Sequence, residues 1–308
     1  MSLVVNNLTK MYGEKTVVDH MSFSIEKPGV FALLGTNGAG KSTSIRMILG
    51  MLSKNEGTVT WKGKSLDSID ASVGYLAEER GLYPKYDLMD QLLYFAKLKK
   101  ISKKEALLRI KEYAKKLDVE MYLYPQTLTK GKKAKPYKAD QLSKGNQQKI
   151  QLLAALISDP ELIILDEPLS GLDPVNTDIF KEIIRDEIEK GKYIIMSSHQ
   201  MATIEEFCEN IIILDKGKTV LNGNLNAIKK SYGRVNLSVK CEGDIEPIIQ
   251  SIGLNLVHKT PNEYQFKIRE EKEANMLLER MIQAKIPIIK FELSEPTLHE
   301  IFVEKVGN

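Results

Sequence analysis

Four groups of residues have the types and spacing that chemistry requires. The first is Gly35-Thr36-Asn37-Gly38-Ala39-Gly40-Lys41-Ser42-Thr43. A loop that wraps a polyphosphate must turn successive backbone N–H groups inward, and glycine permits the close approach and unusual dihedrals this takes. A helix starting at such a loop adds free N–H groups and a positive dipole end. The spacing is that of the phosphate-binding P-loop, in which Lys41 would reach the β- and γ-phosphates and Ser42 would ligate Mg²⁺. The second group is Asp166-Glu167, directly after the apolar run Leu162-Ile163-Ile164-Leu165. Carboxylates at the end of a buried strand lie at the sheet edge where open α/β folds bind ligands. Asp166 is thus placed to hold Mg²⁺ and Glu167 to orient or deprotonate water. The third is His199, just past the run Tyr193 to Ser198 and one strand after the acids, which favours contact with a γ-phosphate. The fourth is Leu142-Ser143-Lys144-Gly145-Asn146-Gln147, where Ser143 stands three residues before Asn146 at the start of a helical pattern. That is an N-cap signature and an anion-binding helix end, of low specificity on its own.

The elements that must position these groups follow from periodicity. Val30 to Leu34 is an apolar run, read as a buried strand, and Ile45, Met47, Ile48 and Leu49 follow the loop at helical spacing. Residues 3 to 10 and 17 to 25 alternate as half-buried strands, with Met11-Tyr12-Gly13 between them. Thr58 to Lys64 and Val73 to Leu76 are further short strands, the latter followed by the charged loop Glu78-Glu79-Arg80-Gly81. From Asp87 to about Leu117 the apolar positions Leu88, Leu92, Phe95, Leu98, Ala106, Ile110, Tyr113 and Leu117 recur at steps that build helices. The run Thr129 to Lys138 is basic and broken by Gly131 and Pro136, so it reads as a surface loop; a sharper reading is contact with anionic headgroups or an acidic partner. Ser170-Gly171-Leu172-Asp173-Pro174 is a tight turn opening a helix, and Asp215-Lys216-Gly217-Lys218 is a hairpin turn. The nucleotide-binding unit ends near Ile228. Beyond it, Val235 to Val239, Ile245 to Ile252, Leu254 to Lys259, Tyr264 to Ile268, Glu270 to Ala284 and Ile286 to Leu293 give the order β-α-β-β-α-β. That order suggests a ferredoxin-like domain closed by a helix from Pro296 to Val306.

Composition bounds the possibilities. The 308 residues suffice for about two domains. A net charge of +3 is too small to imply nucleic acid. No apolar run approaches the ~18 residues of a bilayer span, and the N-terminus lacks a signal-peptide pattern. The two cysteines, Cys208 and Cys241, are far apart and read as free thiols in a reducing cytoplasm.

Taken together, the motifs over about residues 3 to 228 resemble the ATP-binding subunits of ABC transporters. Gly35 to Thr43 looks like that family's P-loop, Leu142 to Gln147 like its signature sequence, and Leu162 to Glu167 like its acidic strand. Ser170 to Asp173 looks like its D-loop and His199 like its switch histidine, while Tyr12 sits where the family stacks an aromatic on adenine. Two positions depart from the pattern. Lys144, Gly145 and Asn146 stand where two adjacent glycines and a glutamine are usual, and Glu78 stands at the glutamine of the Q-loop, where it can still coordinate Mg²⁺.

The resemblance implies an α/β P-loop NTPase cassette with a RecA-like core, an antiparallel β subdomain and a helical subdomain over about residues 87 to 160, filling residues 1 to 228. The small α+β domain at residues 229 to 308 would be an accessory appendage. It implies ATP and Mg²⁺ as cofactors, with Tyr12, Gly35, Asn37, Gly38, Ala39, Gly40, Lys41, Ser42, Thr43, Ser143, Gly145 and Asp173 at the nucleotide. Ser42, Glu78 and Asp166 would be at the metal, and Glu167 and His199 would be catalytic. Two cassettes, as a homodimer or heterodimer, would pair head to tail, with Ser143 and Gly145 of one completing the site of the other. The implied partner is a separate polytopic membrane-spanning permease of the bacterial ABC-2 export type, with the chain peripheral on the inner face of the cell membrane. A soluble ATP-switched module acting on ribosomes or DNA is the competing reading. Tandem cassettes or inserted coiled coils would mark it, and neither is present.

Overall fold

The structure is a computed structural model and describes residues 2–66, 73–79, 81–124, 137–261 and 263–307. Most of the basic run (residues 129–136), Arg80 of the charged loop and Asn262 of the Thr260-Pro261-Asn262 turn lie outside the described residues. Contacts divide the chain into two compact units, Met1–Asn222 and Gly223–Asn308.

The first unit opens with β1 (Leu3–Tyr12), β2 (Lys15–Ile25) and β3 (Gly29–Gly35), then α1 (Lys41–Ile48), β4 (Glu56–Trp61), β5 (Lys64–Ser65) and β6 (Val73–Leu76). A helical stretch follows: α2 (Leu88–Leu98), α3 (Lys103–Lys116), α4 (Glu120–Leu123), a 3-10 turn at Ala139–Gln141 and α5 (Lys144–Leu156). The chain returns through β7 (Leu162–Asp166), α6 (Pro174–Glu189), β8 (Tyr193–Ser198), α7 (Met201–Phe207), β9 (Cys208–Asp215) and β10 (Lys218–Asn224). The ten strands form one sheet in the order β5-β4-β1-β2-β10-β9-β3-β8-β7-β6.

Strands β9, β3, β8, β7 and β6 run parallel, each to the next in that order. Their side chains are buried along almost the whole run, as parallel strands covered on both faces require. The order β3-β8-β7 sets their C-terminal ends side by side. In register, Leu34 lies opposite Ser198 and Asp166 opposite Ser197, so the glycine loop, the acids and His199 converge on one edge. At the other side of the sheet, β1 pairs antiparallel with β2 and β4, and these strands alternate buried and exposed residues.

The helical pattern from Asp87 to Leu117 forms as α2 and α3, divided between Leu98 and Lys103. Lys100 adopts a left-handed φ of 60°, and the Ser102 hydroxyl accepts from the Glu105 N–H at 3.2 Å to cap α3. The hairpin at Asp215–Lys218 forms with Lys216 and Gly217 both at positive φ, as tight two-residue hairpins favour.

The second unit contains α8 (Leu225–Tyr232), β11 (Asn236–Cys241), α9 (Glu246–Ile252), β12 (Asn255–Lys259), β13 (Glu263–Lys267), α10 (Glu271–Gln283), β14 (Ile288–Ser294) and α11 (Leu298–Val306). Helix α8 runs across position 228. Asn224 caps it, accepting from the Ala227 N–H at 3.0 Å. The four strands form an antiparallel sheet in the order β12-β13-β11-β14. Its core is Leu237, Val239, Tyr264, Phe266, Leu277 and Met281, from alternate strand positions and one stripe of α10. Among the described residues no helix is long and apolar enough to cross a membrane.

Candidate functional site

The site starts from the turn between β3 and α1. Gly38 (φ 80°) and Gly40 (φ 104°) take left-handed conformations that let the loop curl, and a Cβ on Gly40 would meet the Val17 carbonyl oxygen at 2.7 Å. Gly40 is the N-cap of α1 and no side chain caps that helix, which leaves its first-turn N–H groups for a ligand. Lys41 is only 6% exposed. Its ammonium donates to the Gly35 carbonyl at 2.8 Å and the Thr36 carbonyl at 3.3 Å, and lies 3.3 Å from Glu167 Oε1.

The acids are held by a residue the sequence reading passed over. The Ser197 hydroxyl donates to Asp166 Oδ1 at 2.6 Å and accepts from the Glu167 N–H at 2.9 Å, so one side chain of β8 fixes both. Its only sequence signal is a pair of hydroxyls, Ser197-Ser198, ending an otherwise apolar run. Burial pushes the Asp166 carboxyl above its ordinary range, against the hydrogen bonds from Ser197 and Ser42. Ser42 and Asp166 therefore meet in the structure. Glu167 is itself in a left-handed conformation, φ 49°, a strain characteristic of functional positions. Its Oε2 meets His199 Nδ1 at 2.8 Å, while among the described residues Oε1 is buried without a hydrogen bond, 3.3 Å from the Lys41 ammonium. Beside them, burial and then the Asp166 charge push the Tyr75 hydroxyl to about 12, against the pull of Arg46 on α1.

Lys41, Ser42, Asp166, Glu167 and His199 thus form one cluster. Asn37, Ala39 and Thr43 belong to the same turn and first helical residues. Tyr12, 53% exposed at the end of β1, lies under the Lys10 ammonium at 5.0 Å, and Glu78 is exposed just past β6.

Ser143, Gly145 and Asp173 form a second cluster. Ser143 caps α5, accepting from the Asn146 N–H at 3.3 Å. Asp173 caps α6, accepting from the Asn176 N–H at 2.9 Å; that bond, first among several, holds its carboxyl below the usual range. A Cβ on Gly145 would lie 3.0 Å from Asn176 Nδ2, so the two helix starts pack closely. Gln148 donates to the Pro168 carbonyl at 2.6 Å, tying α5 to the segment after the acids. Among the described residues no hydrogen bond or ion pair joins Ser143 or Gly145 to Lys41, Ser42 or Asp166 within the chain.

The first cluster suits a polyphosphate with a hard divalent cation. It offers a buried ammonium resting on neutral carbonyls, an uncapped helix start, a hydroxyl and carboxylate pair at Ser42 and Asp166, and a buried carboxylate oxygen lacking a hydrogen bond. Elsewhere in the unit, an apolar groove of about 280 Å³ is lined by Val73, Tyr75, Leu82, Phe95, Leu98 and Gln151 among others.

A family model described as ABC transporter matches residues 18–170, and one described as the C-terminal domain of DrrA1-3-like ATP-binding proteins matches residues 223–306. The chain is 42% identical over 306 residues to an uncharacterized ABC transporter ATP-binding protein, YhaQ, of Bacillus subtilis, covering 99% of this chain and 98% of that protein. It is 30% identical to the linearmycin resistance ATP-binding protein LnrL of Bacillus subtilis, covering 99% of this chain and 98% of that one. To the ABC transporter ATP-binding protein NatA of the same organism it is 32% identical, covering 70% of this chain and 84% of NatA. A solved structure of an ATP-binding subunit of an ABC transporter superposes with a TM-score of 0.67 at 28% identity, covering 76% of this chain and 94% of that one.

Proposed function

This chain belongs to the ATP-binding subunits of ABC transporters, and from that premise we propose that it is the Mg²⁺-dependent ATPase that drives a bacterial exporter of the ABC-2 type. The observation that carries the reading is the contact set around Glu167, which lies between Lys41 and His199 with Asp166 fixed beside it by Ser197. The P-loop turn from Gly35 to Thr43 would wrap the triphosphate, with Tyr12 under the adenine. Ser42 and Asp166, with Glu78 as a third oxygen donor, would hold Mg²⁺. The cation supplies neutralisation of phosphate charge when bound. Lys41 rests against Glu167; a phosphate that draws the ammonium away would free Oε1 to take the proton of an attacking water. His199, bonded to Oε2, keeps the other oxygen fixed and can face the departing phosphate.

Among the described residues Ser143 and Gly145, with Asp173 capping the neighbouring helix, make no bond to the Lys41, Ser42 and Asp166 cluster of their own chain, which supports a role across an interface. A second cassette, identical or homologous, would place its own P-loop there, so that ATP joins the two. Two unit charges about 4 Å apart are worth about 4 kcal/mol at an effective dielectric near 20, enough to make the triphosphate the main adhesive. The apolar groove beside Leu98 supports docking of a separate polytopic permease, as does the absence of a membrane-crossing helix among the described residues. Such docking would hold the chain on the inner face of the membrane. For the C-terminal unit we propose the ferredoxin-like arrangement, supported by its β-α-β-β-α-β order and sheet order β12-β13-β11-β14. The expected division of the chain, a cassette to about residue 228 and an accessory domain after it, is retained as part of this reading.

The test is Glu167→Gln. Turnover should fall by about 10²–10⁴ while ATP affinity changes little, because the proton acceptor goes and the phosphate cradle stays. Turnover like that of the unaltered protein would remove Glu167 from the chemistry.

A further inference from the structure

Helix α3 sorts its charges. Its buried stripe is Ala106, Ile110, Tyr113 and Ala114. At about 100° per residue, Lys104, Leu108, Lys111 and Lys115 lie on the opposite side, and all four are exposed. The two acids of the helix also face outward, along one edge of that side, and are already engaged: Glu105 with Arg109 at 2.5 Å and Glu112 with Lys116 at 3.4 Å. Arg109 and Lys116 also reach inward, to the Ile157 carbonyl at 2.9 Å and to Asp186 at 2.8 Å. With both acids matched by Arg109 and Lys116, the row Lys104, Leu108, Lys111 and Lys115 beside them carries three uncompensated positive charges. It continues into the corner before the helix, Lys97-Leu98-Lys99-Lys100-Ile101-Ser102-Lys103-Lys104, which contains no acid. Among the described residues the side chains of Lys97, Lys100, Lys103, Lys104, Lys111 and Lys115 take no hydrogen bond or ion pair.

Two leucines stand out among these lysines, Leu98 at 52% and Leu108 at 64% exposure. Exposed leucines set between lysines form the pattern of a surface that lies in a bilayer interface, apolar tips at the acyl boundary and ammonium groups at the headgroups. A polyanion that offered only charge would give those leucines nothing. Leu98 also lines the apolar groove, so the basic corner is continuous with it.

We infer that the end of α2 and the outward stripe of α3 form an electrostatic docking surface for the anionic headgroups of a bilayer. The inference rests on the reading of the chain as a membrane-partnered ATPase, since the groove that would take the partner and the lysine corner share Leu98. Each lysine brought near an anionic bilayer raises partitioning about fivefold, so three contribute on the order of 10²-fold. The contact is screened as salt rises, because the Debye length falls from about 8 Å at physiological ionic strength to about 3 Å at 1 M.

The experiment is co-sedimentation of the full chain with vesicles of phosphatidylserine and phosphatidylcholine, and with phosphatidylcholine alone, against the triple variant Lys104→Gln, Lys111→Gln, Lys115→Gln. The expected result is salt-sensitive binding to the phosphatidylserine vesicles only, weakened on the order of 10²-fold in the variant. The basic run at residues 129–136 is present in both proteins, so the difference reports the α3 stripe. Absence of binding, equal binding to both vesicles, an unaltered triple variant, or a loss matched only on heparin or RNA and not on vesicles would each overturn the inference. ATP binding and turnover are measured on the same samples. Failure of the vesicle arm with ATPase activity intact sinks the docking surface alone. Absence of ATPase activity with the vesicle arm intact sinks the functional reading instead.

Discussion

Lys41→Met in the nucleotide-free protein isolates the ion pair at the centre of the site. Lys41 and Glu167 are each 6% exposed and lie 3.3 Å apart. At that separation two unit charges attract by about 5 kcal/mol at an effective dielectric near 20. Methionine keeps most of the stem's volume and removes the charge, leaving Glu167 Oε1 buried with neither cation nor hydrogen bond. Breaking a buried pair from one side costs about 3–5 kcal/mol, because the other charge is stranded. For a unit of this size each kcal/mol lowers the melting temperature by about 2–4 °C, so the first unfolding transition should fall by roughly 10 °C. Scanning calorimetry at neutral pH without nucleotide reads this directly. The same substitution in a Glu167→Gln background should cost about 2–3 kcal/mol less, since no charge is stranded there. Equal losses in the two backgrounds would show that Lys41 and Glu167 do not hold each other, and the account of how the base is released by phosphate would fail.

Two further outcomes follow from named contacts. Ser197→Ala removes the hydroxyl shared by Asp166 and the Glu167 N–H; stability should drop by about 1–3 kcal/mol in denaturant titration and turnover should fall with it, whereas unchanged turnover would show that the acids are placed without Ser197. In the C-terminal unit, burial would raise the Glu300 carboxyl, but bonds from Lys267, the Thr297 N–H and Asn236 outweigh it and bring Glu300 from the ordinary 4.5 down to about 2. A depressed folded value means that its stabilisation is whole above about 4.5 and is lost as pH falls toward about 2. Discounted for a side chain 35% exposed, that is about 1–2 kcal/mol, and hydrogen exchange over residues 236–267 should show the loss in the native protein and not in Glu300→Gln.

Much of this was legible because the informative residues are local. The glycine loop, the apolar strands before and after it, and the capping serine at 143 each act within a few positions of themselves. So do the strands and helices of the C-terminal unit, whose alternation and helical spacing place them within a few residues of where they form. The point where α2 gives way to α3 is not marked by apolar spacing, since Leu98 and Ala106 on either side both keep a helical rhythm and the Ser102 cap lies between them. Position 228 lies inside α8, which Asn224 caps, so no change of element marks it. Ser197 could not be found by spacing at all. Its work depends on β8 lying between β3 and β7, a long-range pairing of strands that sequence periodicity does not encode. The left-handed turn at Glu167 is equally silent, because a glutamate rarely advertises a positive φ.

The central claim is that ATP holds Ser143 of one cassette against the Lys41 site of another. Sedimentation velocity of Glu167→Gln with Mg²⁺ and ATP tests it most directly, with Ser143→Arg added as the second arm. The account predicts that the Glu167→Gln chain doubles its mass only when ATP is present and that Ser143→Arg, while still binding ATP, stays at the mass of one chain. A chain that binds ATP yet remains single at every concentration, or a dimer indifferent to Ser143→Arg, would contradict it.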